Sequence, residues 1–398
     1  MKKTDYKMLR RLKAAVAAAI TLMALWGVLG VVLPAISPFL ARTALFSAAL
    51  TMPEGTVGQL KERFGGALTP SATPGQEIHG TSAGAPPAEA TPETQPPEEA
   101  PAVVTAPPTS TSAPSSASSA QPEIPKKYQG KVLAENMSGK KGGLAFSTGR
   151  FWLRNDTSLT EQAITDVLKQ PMGIALEETR EPQVLIYHTH ATESFNPFDT
   201  EIYDTRYNWR STDNNNNMVA VGAVMVQTLR EHGIVVLQDT SQHDYPSYDG
   251  SYANSYRAVK DYLARYPTIK VVLDLHRDAI ERDGRVIVKP TLEANGKKYA
   301  QLMIISNCDD GSGLIPNWRE NLRFAAAFSN TLEANTPGIT RPLMFSYRKY
   351  NQQLSTGALL LEFGSHANTL EEAKNTAVVA GEALAQVLLD TQKKGSYS

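Results

Sequence analysis

Three apolar runs in the second half of the chain each end in ionisable side chains. The runs are VLIYHTH, VVLDLHRD and ALLLEFG, and they contain His190, His276 and Glu362. Short apolar runs of this kind predict buried strands. In open α/β sheets, functional groups collect outside the carboxyl ends of the strands. We therefore expect these three side chains to lie near one another at one edge of a sheet.

Histidine and carboxylate groups in this arrangement favour a catalytic zinc site. Catalytic zinc takes three protein ligands from His, Glu or Asp and keeps a fourth position for water. His190, Glu193 and His276 form such a set, with His190 and Glu193 three residues apart at a strand-to-turn junction. The chain has a single cysteine, Cys308, which excludes an intramolecular disulfide and a cysteine-based zinc site.

Hydrolysis at such a metal requires a carboxylate that accepts a proton from water. Glu362 leaves the apolar run LLLEF, so burial should raise its pKa towards a useful value, while a nearby cation would oppose this. Arg277 is such a cation, and Glu362 and Arg277 are the candidate catalytic residues. The alternative is a purely structural ion pair of Glu362 with Arg277 or Arg348.

Each candidate ligand also has a structural interpretation. His188 lies two positions before His190, so both are expected on one face of a strand; His188 is a ligand in place of His190, a partner that orients a ligand, or simply packed. Glu193 could instead cap the following turn. His276 could be a satisfied core histidine, although a neighbouring His-x-His motif and a buried glutamate weaken that interpretation.

The N-terminal region predicts an exported, membrane-anchored protein. A basic segment at residues 1–13 precedes an uncharged run at residues 14–41, and Ala14–Leu33 alone has the roughly 20 residues that cross a bilayer as a helix. The positive cluster favours a cytoplasmic N-terminus and an extracytoplasmic catalytic domain, held at the cell membrane by a single pass. A cleaved signal peptide is the alternative, because small residues follow the run.

The rest of the chain divides by composition. A juxtamembrane segment (42–68) leads to a stalk rich in Pro, Ala, Ser and Thr (69–125), which should be disordered, and then to one catalytic domain (126–398). In that domain strand-like runs alternate with helical patterns, including Asn217–His232 and a helix opened by the capping box Thr369-x-x-Glu372. This alternation predicts an α/β fold with a mixed, largely parallel sheet flanked by helices. Lys plus Arg (39) nearly balance Asp plus Glu (40), so nucleic acid is not favoured as a partner.

Several motifs in the right order resemble the stage II sporulation protein P family. They span about Gly143 to Leu389 and include IYHTHATESF, DNNNNMVAVG, SQHDYPSYDGSYANSY, VVLDLHRDA, PNWRENL and RKYNQQLSTGALLLEFGSHANTLEEA. The resemblance implies a fold like that of zinc N-acetylmuramoyl-L-alanine amidases. It also implies that His190, rather than His188, and His276 bind zinc and that Glu362 is the catalytic glutamate. The carboxylate ligand, here Glu193, follows the histidine after a longer stretch in the broader amidases.

The same resemblance implies an activity. Family members hydrolyse the amide between the muramic acid lactyl group and L-alanine in peptidoglycan, and are credited with endopeptidase activity on its cross-links. They act in engulfment during endospore formation, with stage II sporulation proteins D and M as partners. Two other interpretations of the site remain: a catalytically inactive wall-binding scaffold, and a metallohydrolase that acts on another amide, such as a deacetylase.

Overall fold

The computed structural model describes residues 123–139 and 145–395 of the chain. The predicted membrane anchor and nearly all of the predicted stalk lie outside the described residues. Within the two described ranges, no helix combines the length and the apolar character that crossing a bilayer requires.

The described ranges form strands and helices in the alternating order that the sequence predicts for much of the domain. The strands are β1 Gln129–Glu135, β2 Ala145–Thr148, β3 Phe151–Asp156, β4 Val184–Tyr187, β5 Ile202–Asp204, β6 Val236–Gln238, β7 Val271–Asp278, β8 Glu281–Arg282, β9 Val286–Ala294, β10 Lys297–Ala300, β11 Leu302–Asn307, β12 Leu343–Ser346 and β13 Gly357–Ser365. The α-helices are α1 Glu161–Leu168, α2 Met218–Glu231, α3 Ser251–Arg265, α4 Trp318–Asn335 and α5 Leu370–Gly395.

An eight-stranded mixed sheet forms the centre of the domain. Its strand order is β2-β3-β12-β11-β13-β7-β4-β6. Neighbouring strands run parallel except at β2–β3 and β11–β13, which are antiparallel. The prediction of a mixed, largely parallel sheet is therefore confirmed.

A second, smaller sheet was not predicted. Its order is β10-β9-β1-β5, and β8 also pairs with β9. The strands β1 and β9 are parallel, and they come from distant parts of the chain, since Lys131 of β1 is the register partner of Val286 of β9. β1 alternates buried and exposed positions in only part of its length, and such a short, partly exposed strand gives a weak sequence signal.

Helices cover both faces of the large sheet because its central strands present apolar side chains alternately to each side. Val184 and Ile186 of β4 join the main core, which includes side chains of α2, α4 and α5. Leu185 and Tyr187 point the other way, into a cluster with Val259 of α3. The prediction of a sheet flanked by helices is also confirmed.

Two predicted helix starts have the expected local bonding. The Asn217 side chain accepts a hydrogen bond from the Val219 N–H at 2.9 Å and so caps α2. In the capping box before α5, the Glu372 N–H donates to Thr369 Oγ1 at 3.2 Å. The Thr369 N–H in turn donates to Glu372 Oε2 at 3.0 Å.

Candidate metal and catalytic site

The three predicted site strands β4, β7 and β13 are neighbours in the sheet and run parallel, so their carboxyl ends meet at one edge. Tyr187 pairs with Asp274 across β4 and β7, and His276 pairs with Glu362 across β7 and β13. Asp274 and His276 share a strand face because they are two residues apart. The predicted convergence of the three runs is therefore present.

His276 lies between two carboxylates. Its Nδ1 is 3.6 Å from Glu193 Oε2, and its Nε2 is 2.9 Å from Asp274 Oδ1, a close contact that is poorly aligned for a hydrogen bond. Burial lowers the pKa of His276, but the charges of Asp274 and Glu193 outweigh burial and hold the pKa well above its usual value. The surroundings of His276 thus favour a positive charge.

Glu193 is buried, and its carboxylate points to β7. Its Oε2 accepts a hydrogen bond from the Arg277 backbone N–H at 3.0 Å. Burial raises the pKa of Glu193, but the combined effect of Arg277 and His276 lowers the pKa by more than burial raises it. The net shift is downward, and the carboxyl group is ionised at neutral pH. The hydrogen bond from the Arg277 N–H directs the carboxylate to β7 and not to the turn that follows Glu193, which argues against the turn-cap alternative.

His190 departs from the strand alternation predicted for it. β4 ends at Tyr187 and the chain turns over residues 189–192, which frees the His190 ring from the face on which His188 lies. The ring meets the His276 ring edge-on with centroids 5.3 Å apart and stacks on Tyr248 at 4.5 Å. Burial lowers the pKa of His190 to about 3, so its imidazole is neutral near pH 7. The expectation that His188 and His190 share a face was wrong.

His188 contacts different elements. Its Nδ1 is 3.3 Å from the Leu275 carbonyl oxygen, and its Nε2 is 3.0 Å from the Gln238 side-chain nitrogen. A Cβ atom at Gly222 of α2 would come within 2.7 Å of the His188 ring, so α2 packs directly on this histidine. Burial lowers the pKa of His188 to about 4. These contacts favour the packing role for His188.

Arg277 holds the backbone of the site. Its Nε donates to the Ser194 carbonyl at 3.0 Å and its Nη2 to the Trp209 carbonyl at 2.9 Å, while Nη1 is 3.9 Å from Glu193 Oε1. The side chain is almost fully buried. A guanidinium engaged in this way positions the Glu193 loop, so the geometry favours a positioning role over direct contact with substrate.

Glu362 is buried, and its Oε2 has no hydrogen-bond partner among the described residues. Burial raises the pKa of Glu362 well above its usual value, and the charge of Asp278 adds to the shift while His276 opposes it. Arg341 pairs with Asp278 at 2.8 Å, and Arg277 is occupied elsewhere. In the described part of the chain, no ion pair joins Glu362 to Arg277 or Arg348, so the alternative of a structural ion pair is not seen there.

The imidazole nitrogens and carboxylate oxygens at this edge are atom types that bind zinc. Two of them are also separated by about the distance between two ligands of one zinc ion. Zinc–nitrogen and zinc–oxygen bonds of about 2.1 Å in tetrahedral geometry place two ligand atoms about 3.4 Å apart. The 3.6 Å between His276 Nδ1 and Glu193 Oε2 is near that value. His190 Nδ1 is buried without a hydrogen-bond partner. Within residues 123–139 and 145–395, however, no three His, Cys, Asp or Glu side chains stand close enough together to form a complete metal site.

Two residues near His190 received no role from the sequence. The Tyr248 hydroxyl is 3.2 Å from His190 Nε2, and Asp244 Oδ2 is 3.9 Å from His190 Nδ1. Asp244 also accepts from Arg210 at 2.8 Å and from the Thr192 hydroxyl at 2.6 Å. Both residues belong to the segment SQHDYPSYDGSY, which carries part of the family resemblance. Its position beside the site depends on tertiary packing that local pattern does not encode.

The chain is similar to several solved amidase structures, to a curated relative and to a family model. Solved structures that are similar include the N-acetylmuramoyl-L-alanine amidase AmiC2 of Nostoc punctiforme, with a TM-score of 0.32, 15% identity, and coverage of 53% of this chain and 97% of that chain. Another is the CwlD amidase from Clostridioides difficile in complex with the GerS lipoprotein, with a TM-score of 0.34, 8% identity, and coverage of 53% and 99%.

A curated relative and a family model match more directly. Stage II sporulation protein P of Bacillus subtilis (strain 168) is 28% identical over 229 residues, which are 54% of this chain and 53% of that protein. The match therefore spans about half the length of the relative. The model of the family described as stage II sporulation protein P matches residues 88–388. On that match over most of its length, the chain belongs to the stage II sporulation protein P family.

Proposed function

We propose that the chain is a zinc-dependent peptidoglycan hydrolase, an N-acetylmuramoyl-L-alanine amidase that acts in engulfment during endospore formation. Membership of the stage II sporulation protein P family supports a role in endospore formation. The observation that carries the proposal is the placement of His190, Glu193, His276 and Glu362 at one edge of three adjacent parallel strands, with pairwise contacts of His276 to Glu193 and His190. Buried titratable groups that shift one another's pKa values at a strand edge are typical of functional sites.

The proposed zinc ligands are His190, Glu193 and His276. At neutral pH His190 is uncharged and Glu193 is ionised, which are the forms that bind metal, whereas His276 is charged in the metal-free site and would release its proton when zinc binds. Zinc bound there would polarise the scissile carbonyl and lower the pKa of a water molecule. Asp274, close to His276 Nε2, and Tyr248, close to His190 Nε2, would orient the two imidazoles.

Glu362 is the proposed general base and acid. Its pKa is raised by burial, and a nearby cation would bring the pKa back towards neutrality. In that range Glu362 can accept a proton from the attacking water and then donate it to the leaving amine of L-alanine. Arg277 acts by holding the Glu193 loop through the carbonyls of Ser194 and Trp209.

The wider setting is part of the proposal. The basic segment and apolar run at the N-terminus support a single-pass anchor in the cell membrane, with the catalytic domain outside the cytoplasm. Family resemblance supports stage II sporulation proteins D and M as partners, and an additional endopeptidase activity on peptide cross-links.

The test uses the purified full-length chain in detergent with isolated cell-wall sacculi. The proposal predicts release of peptides whose free N-terminus is L-alanine and of glycan strands free of peptide, identified by mass spectrometry, with arrest by a chelator and recovery on added zinc. Binding to sacculi without any product would indicate a wall-binding scaffold. Loss of acetyl groups with intact lactyl–alanine bonds would indicate a deacetylase, and either result would overturn the proposal.

A further inference from the structure

A polar cleft of about 810 Å³ opens beside the candidate site. Asn196 lines this cleft and follows Glu193 by three residues, so their Cα atoms are at most about 11 Å apart. Ser211 lines both this cleft and a second one of about 390 Å³ that contains Tyr248, the residue stacked on His190. Ser211 therefore lies between the two clefts, and a chain-like ligand bound beside Tyr248 can extend into the larger cleft.

The larger cleft contains a buried donor without a protein partner. Asn196 is only 5% exposed, and its Nδ2 makes no hydrogen bond with the described residues. The residue is held in place by its backbone, because its N–H donates to the Asn368 carbonyl at 2.8 Å and it forms a β-bridge with Thr369. A buried donor in this state is unfavourable until an oxygen atom meets it. Nδ2 is closed to solvent in the ligand-free protein, so a carbonyl or hydroxyl oxygen of a ligand in the cleft would meet it once the Asn196 side chain turns towards the ligand.

The charges of the cleft are balanced within the protein. Lys289 lies behind the lining and pairs with both Asp199 and Glu372, while Lys298 pairs with Asp199 at 2.7 Å. The charged side chains of the cleft, with Lys289, are three carboxylates and three ammonium groups: Asp199, Glu371, Glu372, Lys289, Lys297 and Lys298. A cleft with balanced charge favours a neutral polar ligand over a strongly charged one.

An aromatic ring borders the cleft and is fixed in place. Tyr207 is 38% exposed, and its ring meets that of Trp209 edge-on with centroids 4.8 Å apart. The face of an aromatic ring carries partial negative charge, which suits the weakly positive C–H groups on the face of a sugar ring. The polar side chains that complete the wall are amides and a hydroxyl, those of Asn216, Asn375 and Ser211.

We propose that this cleft binds the glycan strand of peptidoglycan next to the muramic acid whose amide is cleaved. The assignment rests on the proposed function, since it takes the substrate class from it. Tyr207 stacks on a sugar ring, and Asn196 Nδ2 donates to an N-acetyl carbonyl or a hydroxyl oxygen. The stem peptide, which carries free carboxylates, lies outside the cleft.

The experiment measures binding of glycan strands from which all stem peptides have been removed and whose freed lactyl carboxylates have been methyl-esterified, so that the strands are uncharged like the proposed ligand. These strands lack the lactyl–alanine amide, so binding is independent of turnover and of bound metal. End-labelled strands are titrated with the full-length protein in detergent, with chelator present, and read by fluorescence anisotropy. Free stem peptide serves as the competing probe.

Tyr207→Ala and Asn196→Asp should each weaken glycan binding about fivefold, the loss expected for one contact. The control is Tyr347→Ala, because Tyr347 has a matching exposure of 39% and lies outside the cleft. The inference is overturned if the wild-type protein does not bind the strands, if Tyr207→Ala and Tyr347→Ala behave alike, or if stem peptide competes for the cleft. Hydrolysis of sacculi without glycan binding would remove this inference alone, whereas glycan binding without hydrolysis would remove only the proposed function.

Discussion

Glu362 and His276 are register partners on the adjacent parallel strands β13 and β7, and each is at most 2% exposed. The pair brings a carboxyl group with a raised pKa beside an imidazole that two other carboxylates surround. Because both residues belong to central strands of the sheet, their separation is set by backbone pairing rather than by a loop. The proposed division of roles, a base on β13 and a metal ligand on β7, follows from this arrangement.

Glu362→Gln removes the proton acceptor and preserves the shape of the side chain. We expect hydrolysis of sacculi to fall by about 10²-fold or more, while bound zinc stays at the wild-type level because Glu362 is not a proposed ligand. Product release measured by chromatography and metal content measured by mass spectrometry check the two statements. Glu382→Gln, at an exposed position of α5, is the matched control. Wild-type turnover by Glu362→Gln would contradict the role.

His276→Ala and His190→Ala each remove one proposed ligand. Purified variants should retain much less than one zinc per chain, since three protein ligands are the usual minimum for a catalytic site. His232→Ala is the control because His232 is exposed at the C-terminus of α2, where its ring contacts the Thr228 carbonyl at 2.9 Å. Full zinc in either ligand variant, with a wild-type circular dichroism spectrum, would rule out that ligand.

Tyr248→Phe keeps the ring that stacks on His190 and removes the hydroxyl 3.2 Å from His190 Nε2. Loss of a group that orients a metal-binding histidine costs about 10- to 100-fold in metal affinity. Competition with a zinc-binding dye should therefore show weaker zinc binding. Tyr245→Phe, at a position 59% exposed in the same loop, should bind zinc like the wild type. Equal affinity in both variants would mean that the hydroxyl does not orient His190.

His366 should make the fold sensitive to acid. Burial, with a contribution from Arg277, lowers the pKa of His366 from 6.5 to about 3, and both ring nitrogens lack hydrogen-bond partners among the described residues. The folded protein keeps His366 neutral while the unfolded chain takes up a proton below pH 6.5. Its contribution to stability is thus fully present above that pH and is lost as the pH falls towards 3.

Between about pH 7.5 and pH 4.5, His366 alone should lower the free energy of unfolding by about 2–3 kcal/mol. His366→Phe keeps an aromatic ring beside Trp209 and removes the titration, so its loss of stability over this interval should be smaller by that amount. Urea unfolding at the two pH values gives the comparison. Parallel pH profiles for the wild type and the variant would show that His366 is not the acid-sensitive group.

The sequence predicted the central sheet because β4, β7 and β13 are continuous apolar runs, the pattern of strands buried on both faces. It predicted His190, Glu193, His276 and Glu362 at one sheet edge because parallel strands align their carboxyl ends. Strand alternation failed at His190, where the chain turns after Tyr187. A loop conformation of that kind depends on tertiary contacts, here with Tyr248 and Tyr252.

Two other features of the domain, the smaller sheet and the contacts of Arg277, could not be predicted from local sequence patterns. The smaller sheet joins β1 to β9 across more than half of the described chain, and pairing between such distant segments leaves no periodicity to recognise. The contacts of Arg277 with the Ser194 and Trp209 carbonyls were also not predictable, because only the fold brings these carbonyls within reach of its guanidinium.

Zinc-edge anomalous diffraction from crystals of the zinc-loaded protein would locate the metal and its ligands. We expect one anomalous peak within bonding distance of His190, Glu193 and His276, with the carboxyl group of Glu362 nearby and not bound. A peak held by other side chains, or density that leaves these two imidazoles apart with no metal between them, would contradict the proposed zinc site.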